Sequence, residues 1–367
     1  MQYSFLKYFS FLALFLLSLA LSACDSVNAN SKLHENLKVN STSEPPNVER
    51  VKDVGPFGIK NAVVLDANTW LVVDYKENLW KTEDNGQHWR KVIASSKWTG
   101  KASFVNPSVG FIVAKDHLLK TTNGGNDWFE IKDISDDVKD TFFLTDNLGW
   151  LVGSSDSSGL GYTGKIWSTK NGGLSWKESR IKGNETISKA LGNWDLRGIY
   201  FLNERVGFAA GKGVLLYSND GGENWGYEPK LFGDFQNVMF VNSQIGWITE
   251  RSLSASLLTT NGGKTWNKIN FPKVNNGSSV FFSKENIGTV FDSYGYIWSS
   301  YLAHLVWKDV DVRSQKWNAM VDDGSTGDTF IGKTFDGKLV CIWLSSDEAF
   351  VESVVSGDGG KSWLSNE

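Results

Sequence analysis

Three features of the 367-residue sequence predict an all-β fold, a seven-bladed β-propeller over residues 55–367. They are an eight-residue turn box recurring at blade-sized spacing, a second turn pattern ahead of most copies, and no helical period of comparable length in the body. Composition agrees. With 37 Gly, 17 Trp and 13% aromatics the chain is too apolar for disorder, and two cysteines cannot staple its length. The 37 basic residues are matched by 41 acidic ones without a basic run, so no nucleic-acid partner is expected.

The chain opens on a secretory segment. Lys7 is the only charge before Asp25, and FSFLALFLLSLALSA between them is an apolar stretch too short to read as a membrane span. Leu21-Ser22-Ala23-Cys24 closes it and resembles a bacterial lipobox, in which the cysteine is lipidated and becomes the first mature residue. An ordinary cleaved signal with a chance cysteine is the other reading. Residues 1–23 are therefore expected to be a lipoprotein signal peptide, with Cys24 anchoring an exported protein on the periplasmic or otherwise extracytoplasmic side of a membrane. Asp25 resembles the inner-membrane retention signal of enteric bacteria. Loss of the signal removes Lys7 and no acid, leaving a formal charge of −5. Residues 24–54 are rich in Asn, Ser and charge, carry Pro45-Pro46 and show no period, and read as a flexible tether. Thirty such residues reach roughly 30 Å as a coil. Its end, NVERVKDV at 47–54, is a candidate ring-closing strand beside the last outer strand.

The body then repeats one box. It reads TEDNGQHW (Asp84, Gly86, Trp89), TTNGGNDW (Asn123, Gly125, Trp128), TKNGGLSW (Asn171, Gly173, Trp176), SNDGGENW (Asp220, Gly222, Trp225), TTNGGKTW (Asn261, Gly263, Trp266) and SGDGGKSW (Asp358, Gly360, Trp363). A seventh copy, SYLAHLVW, keeps Ser300 and Trp307 but has Leu302 and His304 where Asp and Gly belong. Successive Trp lie 39 to 56 residues apart, the size of a four-stranded blade. The Asp or Asn side chain can accept backbone amides and close the turn, and Gly takes the positive φ that a Cβ would penalise. The Trp then starts the next strand, its N–H expected to find a nearby acceptor. A constellation repeated seven times is a structural device, not a catalytic one.

Ahead of most boxes runs an apolar strand, a tight turn, then Gly and an aromatic: SFVNPSVGF to Phe111, FFLTDNLGW to Trp150, YFLNERVGF to Phe208 and MFVNSQIGW to Trp247. FFSKENIGT, ending at Thr289, is a weaker copy and VVLDANTW, ending at Trp70, a shortened one. A third strand leads into each box. Each unit thus reads strand A, turn, strand B, loop, strand C, box, strand D.

The box resembles the bacterial neuraminidase repeat, or Asp-box, of sialidases, other glycosidases and sortilin-like receptors. The fuller unit is similar to the repeat of the photosystem II stability/assembly factor family, seven-bladed propellers that are lumenal-side lipoproteins in cyanobacteria. The resemblance covers nearly all of 55–367. It implies a non-enzymatic, membrane-anchored scaffold or assembly factor for an envelope or photosynthetic membrane complex, with a membrane or periplasmic protein as partner and no cofactor. The alternative it leaves is a sialidase-like or other glycoside hydrolase, or a glycan-binding propeller.

Antiparallel blades sort their loops by parity, so the A–B turns and boxes share one end, the bottom, and the B–C loops and D–A connections share the top. Irregular segments gather at the top, including 153–165 and the stretches holding Trp98, Trp194 and Trp317. Trp98, Lys101, Trp194, Arg197, Phe235, Lys316 and Trp317 therefore form a candidate aromatic and basic binding face. The competing reading makes these Trp strand-A core residues wedged between blades. Enzyme chemistry has less to stand on. The chain has 7 Arg against 30 Lys and lacks the Arg-Ile-Pro element of sialidases. Asp74, Asp156, Asp195, Asp234 and Glu250 lie near top loops, yet nothing singles out a catalytic pair. His34, His88, His117 and His304 have no metal-ligand spacing, and Cys341 in LVCIW reads as a core thiol.

Overall fold

A computed structural model describes residues 55–365 apart from 57, 94–101, 115–116, 134–136, 157–161, 184–185, 188–193, 228–230, 232, 252–254, 271–278, 284–286, 292–296, 302–307, 310–311, 314–326 and 346–350. The fold is the expected seven-bladed propeller, and each blade has four antiparallel strands in the order A-B-C-D. Blades 1 to 3 are built from Asn61–Val64, Trp70–Val73, Leu79–Thr82 and Arg90–Ile93; Ser103–Phe104, Gly110–Ala114, His117–Thr121 and Phe129–Asp133; and Asp137–Phe143, Gly149–Asp156, Tyr162–Thr169 and Lys177–Glu178. Blades 4 and 5 use Leu196–Phe201, Gly207–Gly211, Val214–Ser218 and Asn224–Tyr227, then Phe235–Phe240, Gly246–Glu250, Ala255–Thr259 and Asn267–Asn270. Blades 6 and 7 use Ser279–Phe282, Ile287–Phe291, Ile297–Tyr301 and Lys308–Asp309, then Gly327–Lys333, Leu339–Ser345, Val351–Ser356 and Trp363–Ser365.

Strand B is apolar without alternation, as in FIVA of blade 2, because a neighbouring blade covers each face of the sheet. Hydrophobic clusters accordingly span adjacent blades. One joins Trp150, Val152 and Ile166 of blade 3 to Ile199, Phe201 and Leu216 of blade 4, and another joins Val340 and Ile342 of blade 7 to Val64, Trp70 and Val72 of blade 1. The latter closes the ring, helped by the Ser353 hydroxyl donating to Asn85 Oδ1 at 2.9 Å.

The Gly-aromatic pattern now has a physical reason. The Gly of strand B faces the last Phe of strand A in its own blade, as in Phe143↔Gly149 and Phe201↔Gly207, and a Cβ on Gly149 or Gly207 would lie 2.5 or 2.4 Å from that Phe ring. The aromatic after the Gly stacks on the equivalent Phe of the next blade, at 3.5 Å for Phe111 on Phe143 and 3.4 Å for Trp150 on Phe201. That Phe meets its own box Trp edge to face, at 82° for Phe143 and Trp176 and 90° for Phe201 and Trp225. A ladder of three rings therefore joins each such pair of blades. At blade 6, Thr289 replaces the aromatic, and its hydroxyl is buried without a hydrogen-bond partner.

Boxes and A–B turns share the bottom, as parity required. The Gly124, Gly172, Gly221 and Gly262 N–H groups donate to the A–B turn carbonyls of Ser108, Asn147, Arg205 and Gln244 at 2.8, 2.9, 2.9 and 2.8 Å. Those glycines hold φ of 69 to 78°, and a Cβ would press on the turn carbonyl one residue before each acceptor, 2.8 to 3.0 Å away. Blade 1 has Asn85 there at φ 68°, a conformation Asn tolerates better than most residues. The box carboxamide or carboxylate chooses its partner four residues on. Asp84, Asp220 and Asp358 face donors (His88 Nδ1, Asn224 Nδ2, Ser362 Oγ), whereas Asn123, Asn171 and Asn261 turn their Nδ2 to acceptors (Asp127, Ser175, Thr265). Partial burial works against the charge of Asp358, but hydrogen bonds from Ser362, Ser356 and Lys361 prevail and hold its pKa at about 2. Its contribution to stability is thus present above the ordinary carboxylate pKa and is lost as pH falls from about 4 toward 2.

One expectation is corrected. Among the described box indoles Trp225 donates nearby, to Gly222 O at 3.0 Å, while Trp89, Trp128, Trp176 and Trp363 bury their N–H without an acceptor because the ring is placed by packing rather than by hydrogen bonding. The outer edge of the last strand is paired in parallel by Val312–Arg313, which lies beside Trp363 and Leu364. The edge of blade 4 is covered in the same way by Arg180–Ile181. Residues 47–54 lie outside the described residues, as do the signal peptide, Cys24 and the tether.

Candidate binding face

The top ends of blades 4 and 5 gather the charged groups that the turns do not use. Arg197 stands near the start of strand A in blade 4. Its Nε donates to Asp195 Oδ2 at 3.0 Å and its Nη1 to Asp234 Oδ1 at 2.6 Å, with the guanidinium side chain 13% exposed. Burial alone would lower the Arg197 pKa, but the hydrogen bonds and charges of Asp195 and Asp234 outweigh it and raise the pKa further, so the cation is permanent.

The backbone holds this clasp. Strand A bulges between Leu196 and Gly198, where Gly211 faces Leu196, and the Lys212 N–H donates to Asp195 O at 3.2 Å. Lys212 bridges to Asp234, Gly213 N–H donates to Gly233 O at 2.7 Å, and Arg251 N–H donates to Asp234 O at 2.8 Å. The exposed side chains of Lys212 and Arg251 thus flank the clasp. Glu250 pairs with Lys268 at 3.8 Å. With Arg197, Lys212, Arg251 and Lys268 against Asp195, Asp234 and Glu250, this patch is net positive on a chain of charge −4. Arg197 is held by its two carboxylates, and the exposed Lys212 and Arg251 beside it are the cations open to a further anionic group.

The expected aromatic face is only partly realised. Arg197 is at the top as expected. Trp194 is 1% exposed, packed with Ile166, Ile187 and Leu196 between blades 3 and 4, where a Cβ on Gly164 would come 2.3 Å from its ring. Phe235 is fully buried in the cluster joining blades 4 and 5. Both rings begin strand A where a neighbouring blade needs filling, so they offer no surface to a ligand. Trp98, Lys101, Lys316 and Trp317 lie outside the described residues. Among the top acids, Asp74 is 1% exposed and accepts from Asn78 and, at 2.7 Å, from Trp80 Nε1, which makes it a loop former. Lys212 escaped the sequence reading; its signal is the Gly-Lys-Gly hairpin at 211–213. Cys341 is a buried core thiol, its pKa pushed up by burial.

Fold and face together define a β-propeller whose box turns are scaffold and whose top carries a charged patch. Residues 131–271, covering blades 3 to 5, match the family described as photosynthesis system II assembly factor YCF48. Over those blades the chain is similar to YCF48, and as a whole it shares the propeller fold. Similar solved structures are a YCF48 bound to D1 peptide (14% identity, 81% of this chain, 93% of that one, TM-score 0.54) and YCF48 from Cyanidioschyzon merolae (15%, 81% and 96%, TM-score 0.55). An ancestral GH74 enzyme has the fold too (14% identity, 84% of this chain, TM-score 0.60), but this chain spans only 46% of it. A methionine–tRNA ligase of Herminiimonas arsenicoxydans is 28% identical over 49% of this chain, which spans 30% of that protein's length.

Proposed function

We propose that this protein is a non-enzymatic scaffold, anchored through Cys24 on the extracytoplasmic side of a membrane, that holds a segment of a membrane protein while a photosynthetic or envelope complex is assembled or maintained. The observation that carries this reading is the Arg197 clasp with Lys212 and Arg251 beside it, a fixed positive patch at the end of the propeller that the repeated turns leave free. The YCF48-like repeat supports it, and the YCF48 structure bound to a D1 peptide gives the partner class an example. The kinship with GH74 reaches only the fold, and Asp195 and Asp234 are both committed to one guanidinium, so this carboxylate pair is not free for glycoside hydrolysis.

The test is affinity capture from source membranes with the full-length chain. Wild type is expected to enrich an integral membrane protein several-fold over K212A/R251A, since two solvated charges each contribute about 0.2–1 kcal/mol. The difference should shrink as salt is raised. Equal capture by both would reject the face. Cys24→Ser is expected to move the protein from the membrane to the soluble fraction after cell breakage, and retention on the membrane would reject the anchor.

A further inference from the structure

Asn-Gly is a chemically weak dipeptide, because glycine has no Cβ to hinder its nitrogen from approaching the preceding side chain. The glycine nitrogen attacks the Asn Cγ and forms a C–N bond, ammonia leaves carrying the amide nitrogen, and water then opens the succinimide to Asp or isoaspartate. Four boxes carry such a pair: in blade 1 it is Asn85-Gly86, one position further along, and in three others it begins with the box asparagine itself, at Asn123-Gly124, Asn171-Gly172 and Asn261-Gly262. None of the latter three asparagines is buried, so water has access.

Both reacting groups are nevertheless occupied in each of these three. The attacking nitrogens of Gly124, Gly172 and Gly262 donate their protons to Ser108, Asn147 and Gln244 carbonyls at 2.8, 2.9 and 2.8 Å. Each Asn Oδ1 accepts the box hydroxyl of Thr121, Thr169 or Thr259 at 3.1, 2.9 and 3.0 Å, and a backbone N–H four residues on at 3.0 Å. Each Nδ2 donates to Asp127, Ser175 or Thr265 at 2.8, 2.9 and 2.8 Å. Attack requires the glycine N–H to leave its carbonyl and the carboxamide to swing out of three hydrogen bonds at once.

We propose that these three Asn-Gly pairs are latent deamidation sites held shut by the A–B turn of the same blade, so that loosening one turn opens that blade's site alone. The clamping carbonyl is itself positioned by a side chain. Asn242 Oδ1 accepts from the Gln244 and Ile245 N–H groups, both at 2.8 Å, and Asn106 Oδ1 accepts from Ser108 and Val109, both at 2.9 Å. Isoaspartate would lengthen the main chain by one atom inside a box whose closure depends on matched hydrogen bonds, so an opened site damages the blade irreversibly.

The experiment incubates the full chain in mildly alkaline buffer and follows each asparagine by peptide mapping. In folded wild type the three box asparagines should deamidate at least roughly tenfold more slowly than in the urea-unfolded chain, because reaction waits on local opening. Asn242→Ala should raise the rate at Asn261 several-fold and leave Asn123 and Asn171 slow, and Asn106→Ala should shift the effect to Asn123. Melting curves identify variants that remain folded, and either variant suffices. Deamidation of folded wild type at the unfolded rate, no change at the targeted asparagine, or an equal rise at all three in a folded variant would each overturn the proposal.

Discussion

Trp150→Ala is expected to destabilise the propeller by about 3–5 kcal/mol, the cost of emptying a fully buried indole site that cannot collapse. The ring is 0% exposed and stacks on Phe201 of the next blade at 3.4 Å, and its Nε1 donates to Gly221 O at 2.9 Å, inside the blade 4 box. Removing it takes away the first rung of the ladder between blades 3 and 4 and leaves the Gly221 carbonyl without that donor. Denaturant melts should show a lower midpoint, and limited proteolysis should cut first within these two blades. Trp150→Phe keeps the stack and should recover most of the loss. A loss under about 1 kcal/mol in Trp150→Ala would mean that the interface repacks and that the ladder is not what joins the blades.

Gly211→Ala should cost about 3 kcal/mol or more and disturb the binding face as well. A Cβ at this position would sit 1.9 Å from the Asp195 carbonyl oxygen, a backbone atom that no rotamer change can move aside. The strands would have to separate at the bulge, pulling Asp195 from Arg197 and from the Lys212 N–H. Membrane capture should therefore fall along with the melting temperature. Gly183→Ala is the control for an ordinary glycine, since nothing lies within 4 Å of its would-be Cβ, although its φ of 76° adds strain of about 1–2 kcal/mol. Equal effects from the two substitutions would refute the steric argument.

The number of blades, the order of strands and the sharing of one end by boxes and A–B turns were legible in the sequence. Each rests on turn chemistry within a few residues, where Asp or Asn, Gly and Trp act on their neighbours. The site was less legible. Trp194 and Phe235 look like face residues in the sequence because they fall in irregular segments, and only the adjoining blade shows them to be filling. The Arg197 partners were even harder to find: Asp195 is two residues away, but Asp234 is 37 residues away in the next blade.

The sequence by itself therefore determined the repeat and its turns, because these depend on local spacing. Tertiary structure alone decided which rings stack across blades, which outer edges take a fifth strand and which charges meet at the top. Those choices are made between blades, where residues some forty positions apart in the chain come into contact when the ring closes.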